Sequence, residues 1–310
     1  MLTVERATGV PNYELVGPAG APVVVALGGI SANAHAGATA ADPAPGWWDP
    51  VVGRGRALDT TRLRVLGIDW LDGGRGDDGR PARIVTTYDQ ADALVAALDA
   101  VEVERVHAVI GASYGGMVAL AFAERYPERV ERLVVVSAPH EAHPLSTALR
   151  TVQRRVVELG IETGRAHDAL ALARALAMTT YRGAREFAER FDSRPDTIDG
   201  ADATFPVERY ILHHGRKFAA AWRPERFLAL SLSADLHRVD PAAVRVPTTL
   251  VAAEGDAIVP REQMAELSML LGAPNTLVDL ASRNGHDAFL TEPAAIGRIL
   301  ATALCTRSFA

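Results

Sequence analysis

VHAVIGASYGGMVALAFAER, residues 106–125, decides how the rest of the chain is read. Residues 106–110 are nearly all apolar, as in a strand buried on both faces of a sheet. Gly111-Ala112-Ser113-Tyr114-Gly115 then fits G-x-S-x-G, with Gly116 next and helical sequence over 117–125. Strand, sharp turn and helix in that order are the context of a nucleophile elbow. The turn strains the serine, and glycines on either side remove side chains that would clash. The serine oxygen stands at the positive end of a helix, where an oxyanion is stabilised. An ordinary serine in a glycine-rich turn is the alternative, and the flanking strand and helix weigh against it.

Five further apolar runs lie at 22–27, 63–68, 132–136, 247–252 and 275–280, bounded by Gly, Pro or Asp. Most do not alternate, which predicts strands covered on both faces. Helical spacing fills the gaps. Within 87–100, Ala91, Leu94, Val95 and Leu98 fall at i, i+3, i+4 and i+7, and 260–271 reads similarly. Alternating strands and helices predict an α/β fold, a mostly parallel sheet with helices on both faces. The alternation breaks between 139 and 240, where strand signal nearly vanishes and helical runs occupy 145–159, 166–180 and 206–221. That stretch is too long for a simple connection. The expected organisation is a core of 1–138 and 241–310 with a helical lid inserted at 139–240. A second independent domain is less expected, because it would need its own core.

A serine needs a base, and the base an orienting acid. In folds with this elbow the acid and the histidine follow the serine in chain order. Asp256 lies just past the run 247–252, and His286 lies just past 275–280. Both therefore fall at carboxyl ends of strands, where sites form in open α/β sheets. Glu254 is an alternative acid nearer the strand body. Asp256 could instead cap a helix, and His286 could be an ordinary loop residue. All three residues in order, each at a strand end, make Ser113, Asp256 and His286 the expected catalytic set.

Composition removes other classes. The chain has 310 residues, 48% hydrophobic and 23% charged, which excludes intrinsic disorder. A net charge of −6 argues against nucleic-acid binding. Cys305 is the only cysteine, so no internal disulfide and no Cys2His2 zinc site can form. His140 and His143 lack a third ligand at metal-site spacing, and no metal is expected. His213 and His214 are adjacent, so one is expected to face solvent. Gly74-Arg75-Gly76-Asp77-Asp78-Gly79 matches G-x-G-x-x-G, but no apolar helix start follows and its aspartates would repel a pyrophosphate. A surface loop is expected there. Residues 1–17 show no basic start with an apolar run, so no signal peptide is expected. Apolar stretches such as 21–27 are far shorter than the roughly 20 residues of a membrane helix. A cytoplasmic protein with no membrane segment is expected.

Several segments resemble one family. Gly285-His286-Asp287-Ala288-Phe289-Leu290 is similar to the GHDAFL signature of the homoserine O-acetyltransferases. Pro45-Gly46-Trp47-Trp48-Asp49, with Gly53 and Ala57-Leu58-Asp59-Thr60, resembles that family's PGWW segment. Gly111–Met117, Gln153-Arg154 and Tyr210-Ile211-Leu212 with Gly215, Lys217 and Phe218 resemble further family segments. The resemblance implies an α/β-hydrolase fold and an acyltransferase. Acetyl or succinyl would pass from acyl-CoA, a co-substrate, to L-homoserine through Ser113, with no cofactor. It implies oxyanion donors at the backbone N–H groups of Tyr114 and Ile30. It also implies an amino-acid clamp of Arg174, Tyr181 and Asp287, the arginine on the substrate carboxylate and the aspartate on its ammonium. It implies a homodimer formed through the lid. Arg150, Arg154 and Lys217 are candidates for the CoA phosphates. A serine O-acyltransferase, an esterase using water, and a binding protein with a degraded site are the competing expectations.

Overall fold

The Val- and Ile-rich runs become strands because β-branched side chains favour the extended backbone and pack well when covered on both sides. In the computed structural model, residues 10–305 are described. Residues 1–9, most of the stretch read for a leader, lie outside the described residues.

Seven strands form the main sheet: β1 (Tyr13–Val16), β2 (Val23–Leu27), β3 (Arg64–Ile68), β4 (Ala108–Ala112), β5 (Leu133–Val136), β8 (Thr248–Ala253) and β9 (Asn275–Leu280). Between β5 and β8 in the chain lies a separate hairpin of β6 (Thr197–Asp199) and β7 (Asp202–Thr204). The main order is β1-β3-β2-β4-β5-β8-β9, with β1 antiparallel to β3 and every other pairing parallel. Along β2, Val23, Val25 and Leu27 enter one apolar layer, while Val24 and Ala26 enter the other. Burial of both faces is why the strand reads as continuously apolar. β1, YELV, is only half-buried at the sheet edge and carries no such run.

Helices α1 (Thr87–Ala100), α2 (Tyr114–Arg125) and α8 (Arg261–Leu270) cover one face. A Thr86–Asp89 capping box starts α1 and satisfies N–H groups at its exposed end. On the other face, Ile296 and Leu300 pack with the Trp48 segment. They belong to α10 (Pro293–Cys305), which follows the short α9 (Ala288–Thr291). No single helix among the described residues is long and apolar enough to cross a membrane.

The segment between β5 and β8 holds α3 (Pro144–Glu162), α4 (Ala166–Tyr181), α5 (Ala184–Arg190), α6 (Pro206–Ala221) and α7 (Pro224–Asp235). The insert holds two features that its helical sequence pattern does not display. The insert is not strandless, since β6–β7 is a hairpin whose three-residue arms are too short and exposed to leave an apolar pattern. It also has a small core of its own, comprising Val157, Leu170, Ala173, Ala219, Phe227 and Leu228. That core is joined to the main one through α7, whose Leu230 and Ala234 pack into the sheet layer. Asp235 at the end of α7 accepts from Thr147, Arg150 and Arg154 of α3, fastening the two helices together.

The 74–79 stretch is a surface turn closed by Gly76 N–H donating to Arg80 O, and no helix follows it until α1. His143 accepts from Leu145 N–H and so caps α3.

Candidate active site

Four loops leave the carboxyl ends of parallel strands on the two sides of β5 and converge, as open parallel sheets favour. They follow β2, β4, β8 and β9 and carry the 28–31 turn, Ser113, Asp256 and His286.

Ser113 links β4 to α2 with φ 54° and ψ −123°, a strained backbone for any residue but glycine. The turn is tight enough to exclude side chains around it. A Cβ on Gly111 would lie 2.2 Å from Gly115 O, and one on Gly115 would lie 2.3 Å from Leu27 O. The G-x-S-x-G pattern is thus a steric requirement. Tyr114 anchors the elbow, with its hydroxyl 2.7 Å from Ser233 Oγ of α7 and its ring edge-on to Trp70.

Ser113 Oγ lies 2.7 Å from His286 Nε2, and His286 Nδ1 lies 2.8 Å from Asp256 Oδ2. Asp256 Oδ1 accepts from the N–H groups of Ile258 and Val259, both at 2.9 Å, so the loop itself holds the carboxylate. Asp256 therefore caps its own loop as well as meeting the histidine. Glu254 is exposed and takes no part. Gly285 brings the histidine turn against the acid loop. It has φ 58°, and a Cβ there would stand 3.0 Å from Gly255 O.

Burial pulls the His286 pKa down, but the Asp256 charge and hydrogen bond, helped by Asp287, outweigh it and hold it above 6.5. With Nδ1–H donating to Asp256, Nε2 accepts from Ser113 and can take its proton. The N–H groups of Ile30 and Tyr114 donate to no backbone carbonyl among the described residues, and both residues line the same cavity as the serine. Trp70 Nε1–H steadies the Ile30 turn by donating to Gly29 O at 3.0 Å.

The serine opens into a cavity of about 320 Å³. Arg174, Tyr181 and Asp287, expected as a clamp, all line it. The Arg174 guanidinium lies 4.9 Å from the Tyr181 and Phe218 ring centres and pairs with no carboxylate among the described residues. Tyr181 stacks on His286 with centroids 6.0 Å apart. Burial raises the Asp287 pKa above the usual carboxylate range, against the pull of Arg182, His286 and Arg174. Arg182 Nε stands 2.9 Å from Asp287 Oδ2, a neighbour the sequence reading missed. Only its place beside Tyr181 in the chain pointed to it. His214 also lines the cavity, while His213 is exposed. Of the three residues suggested for CoA, Arg150 lines the cavity, Arg154 is occupied by Asp235 and Ser231, and Lys217 is exposed.

A distant contact joins two of the motifs. Trp48 Nε1–H donates to Phe289 O at 2.9 Å in the interior, tying the PGWW segment to the histidine loop. Trp47 stacks on Trp48 and lines the cavity.

A family model for the alpha/beta hydrolase fold matches residues 22–293. The chain is 47% identical over 295 residues to a homoserine O-succinyltransferase of Xanthomonas campestris pv. campestris, covering 95% of this chain and 79% of that protein. Among solved structures, esterase E22 superposes with TM-score 0.84 and 21% identity, covering 94% of this chain and 93% of that one. Homoserine O-acetyltransferase from Bacillus anthracis superposes with TM-score 0.83 and 19% identity, covering 95% and 92%. At such identities the two structures show the fold alone.

Proposed function

The chain belongs to the α/β-hydrolase family and within it to the homoserine O-acyltransferases, and from that premise we infer that it moves an acyl group from a CoA thioester to the hydroxyl of L-homoserine. Ser113 gives its proton to His286 Nε2 as Oγ bonds to the thioester carbon. The N–H groups of Tyr114 and Ile30 meet the oxyanion. The C–S bond then breaks, and the thiolate leaves with the proton from His286. In the second half the homoserine hydroxyl gives its proton to His286, its oxygen takes the acyl group, and Ser113 regains a proton. Serine, histidine and backbone supply the chemistry, so no further cofactor enters. A CoA thioester as donor sets the proposed place of action in the cytoplasm.

One observation favours homoserine over water as acceptor: opposite charges line the serine's cavity. Arg174 has no carboxylate partner among the described residues, and Asp287 Oδ1 has no hydrogen-bond donor there. They suit the carboxylate and the ammonium of a small zwitterion, which an esterase has no need to hold. A charge-assisted contact contributes about 1.5–3 kcal/mol. Arg174→Ala and Asp287→Ala should each raise the homoserine KM by roughly ten- to a hundredfold. Acylation by the donor alone should lose much less. Equal loss of both half-reactions would mean the two residues are structural. A wild-type enzyme that hydrolyses the donor and ignores homoserine and serine would be an esterase.

A second copy of the chain is part of the proposal. Leu145, Val152 and Leu159 lie seven residues apart along α3, each more than half exposed. That spacing makes an apolar stripe suited to another helix. Sedimentation equilibrium should give a dimer, and Val152→Glu a monomer. A monomeric wild type at micromolar concentration would remove this part.

A further inference from the structure

Arg150 has charge to spare at the cavity wall. It shares the carboxylate of Asp235 with Arg154, and all three side chains are largely buried. Two guanidinium groups and one carboxylate leave a net positive charge away from water, which is costly without an anion. The two arginines are not equally satisfied. Arg154 donates to Ser231, Asp235 and Thr151 and lies outside the cavity lining. Arg150 donates one aligned hydrogen bond, from Nε to Asp235 Oδ1 at 2.6 Å. Its Nη2 is buried and lies 2.6 Å from the same oxygen without the alignment to donate. The surplus charge and unmet donors therefore sit with Arg150, in the cavity that holds Ser113 and His286. Its charge is also felt at His286, whose protonated form it disfavours.

The proposed reaction brings two small groups into this cavity, homoserine and the acyl group. The homoserine carboxylate is assigned to Arg174. A simple acetyl group has no second charge to offer. A succinyl group has one, two methylene groups from the attacked carbonyl.

We propose that Arg150 receives the distal carboxylate of a succinyl group and so selects a dicarboxylic acyl donor. The assignment rests on the acyltransferase reading and deepens it. Removing Arg150 leaves Asp235 paired with Arg154 and Thr147, so no buried carboxylate is stranded.

The test compares succinyl-CoA with acetyl-CoA, homoserine saturating, in wild type, Arg150→Met and Arg150→Lys. Wild type should favour succinyl-CoA. In Arg150→Met the ratio of the two kcat/KM values should fall on the order of ten- to a hundredfold, mainly through the succinyl-CoA KM. Arg150→Lys keeps the charge without the fork and should fall between them. If Arg150 held a CoA phosphate, both donors would lose equally, and the unchanged ratio would overturn the proposal. A wild type that transfers acetyl to homoserine but not succinyl would overturn it and leave the acyltransferase standing. Failure of both donors would overturn both. Should Arg150→Met not fold, Arg150→Lys carries the same comparison, and an unchanged ratio there counts against the proposal.

Discussion

Ser113 at φ 54° is strained, and the strain aims Oγ at His286, 2.7 Å away. The histidine is tuned by what surrounds it. Burial alone would lower its pKa, but Asp256, with its charge and its hydrogen bond, lifts the result above 6.5. The sign of the pH effect follows. A base must be neutral, so activity is lost as pH falls through the folded-state pKa. The acid limb of donor kcat/KM should therefore lie above pH 6.5. In Asp256→Asn the charge is gone, so the limb should move to lower pH, with kcat reduced about 10³–10⁴-fold by the wrong tautomer. A limb that stays in place in that variant would contradict the account. The same shift acts on stability with the opposite sense. Its contribution is complete below the unfolded pKa of about 6.5 and is lost as pH rises through the folded value.

Among the elements, the contact between Trp48 and Phe289 O carries the most, because it holds the histidine loop against a segment 241 residues away in the chain. Trp48→Phe would leave that buried carbonyl without its donor, a loss of about 1–3 kcal/mol. The thermal midpoint should fall by several degrees in calorimetry. An unchanged midpoint would show that the contact does not hold the loop. β2, β4 and β5 were legible because burial on both faces leaves no polar position in them. The elbow was legible because its backbone admits almost nothing but glycine at Gly111 and Gly115. β1 was missed, since a half-buried edge strand of four residues has no distinctive pattern. α7 was missed because it packs on both the sheet layer and the insert's own core, which blurs its apolar stripe. Arg150 and Arg182 were undecidable in sequence. Whether an arginine is spent on a carboxylate or left facing a cavity depends on neighbours far away in the chain, such as Asp235 and Asp287.

Across the whole molecule, the sheet brings four loops to one end, and α3 and α4 of the insert contribute Arg150, Arg174 and Tyr181 to the cavity they share. In the proposed reaction, loops after the strands supply the covalent chemistry and also Asp287, and the insert supplies Arg150, Arg174 and Tyr181 for recognition. Esterase E22 superposes at TM-score 0.84 over 94% of this chain, the insert largely included, so the fold alone leaves the acceptor open. The central claim is a seryl acyl-enzyme that homoserine, not water, resolves. Intact-protein mass spectrometry after mixing with succinyl-CoA alone reads it most directly. One acyl group should be added, located on the Ser113 peptide, absent in Ser113→Ala, and discharged rapidly as O-acylhomoserine when homoserine is added. Transfer to homoserine without any adduct, or an adduct that water clears as fast as homoserine does, would contradict it.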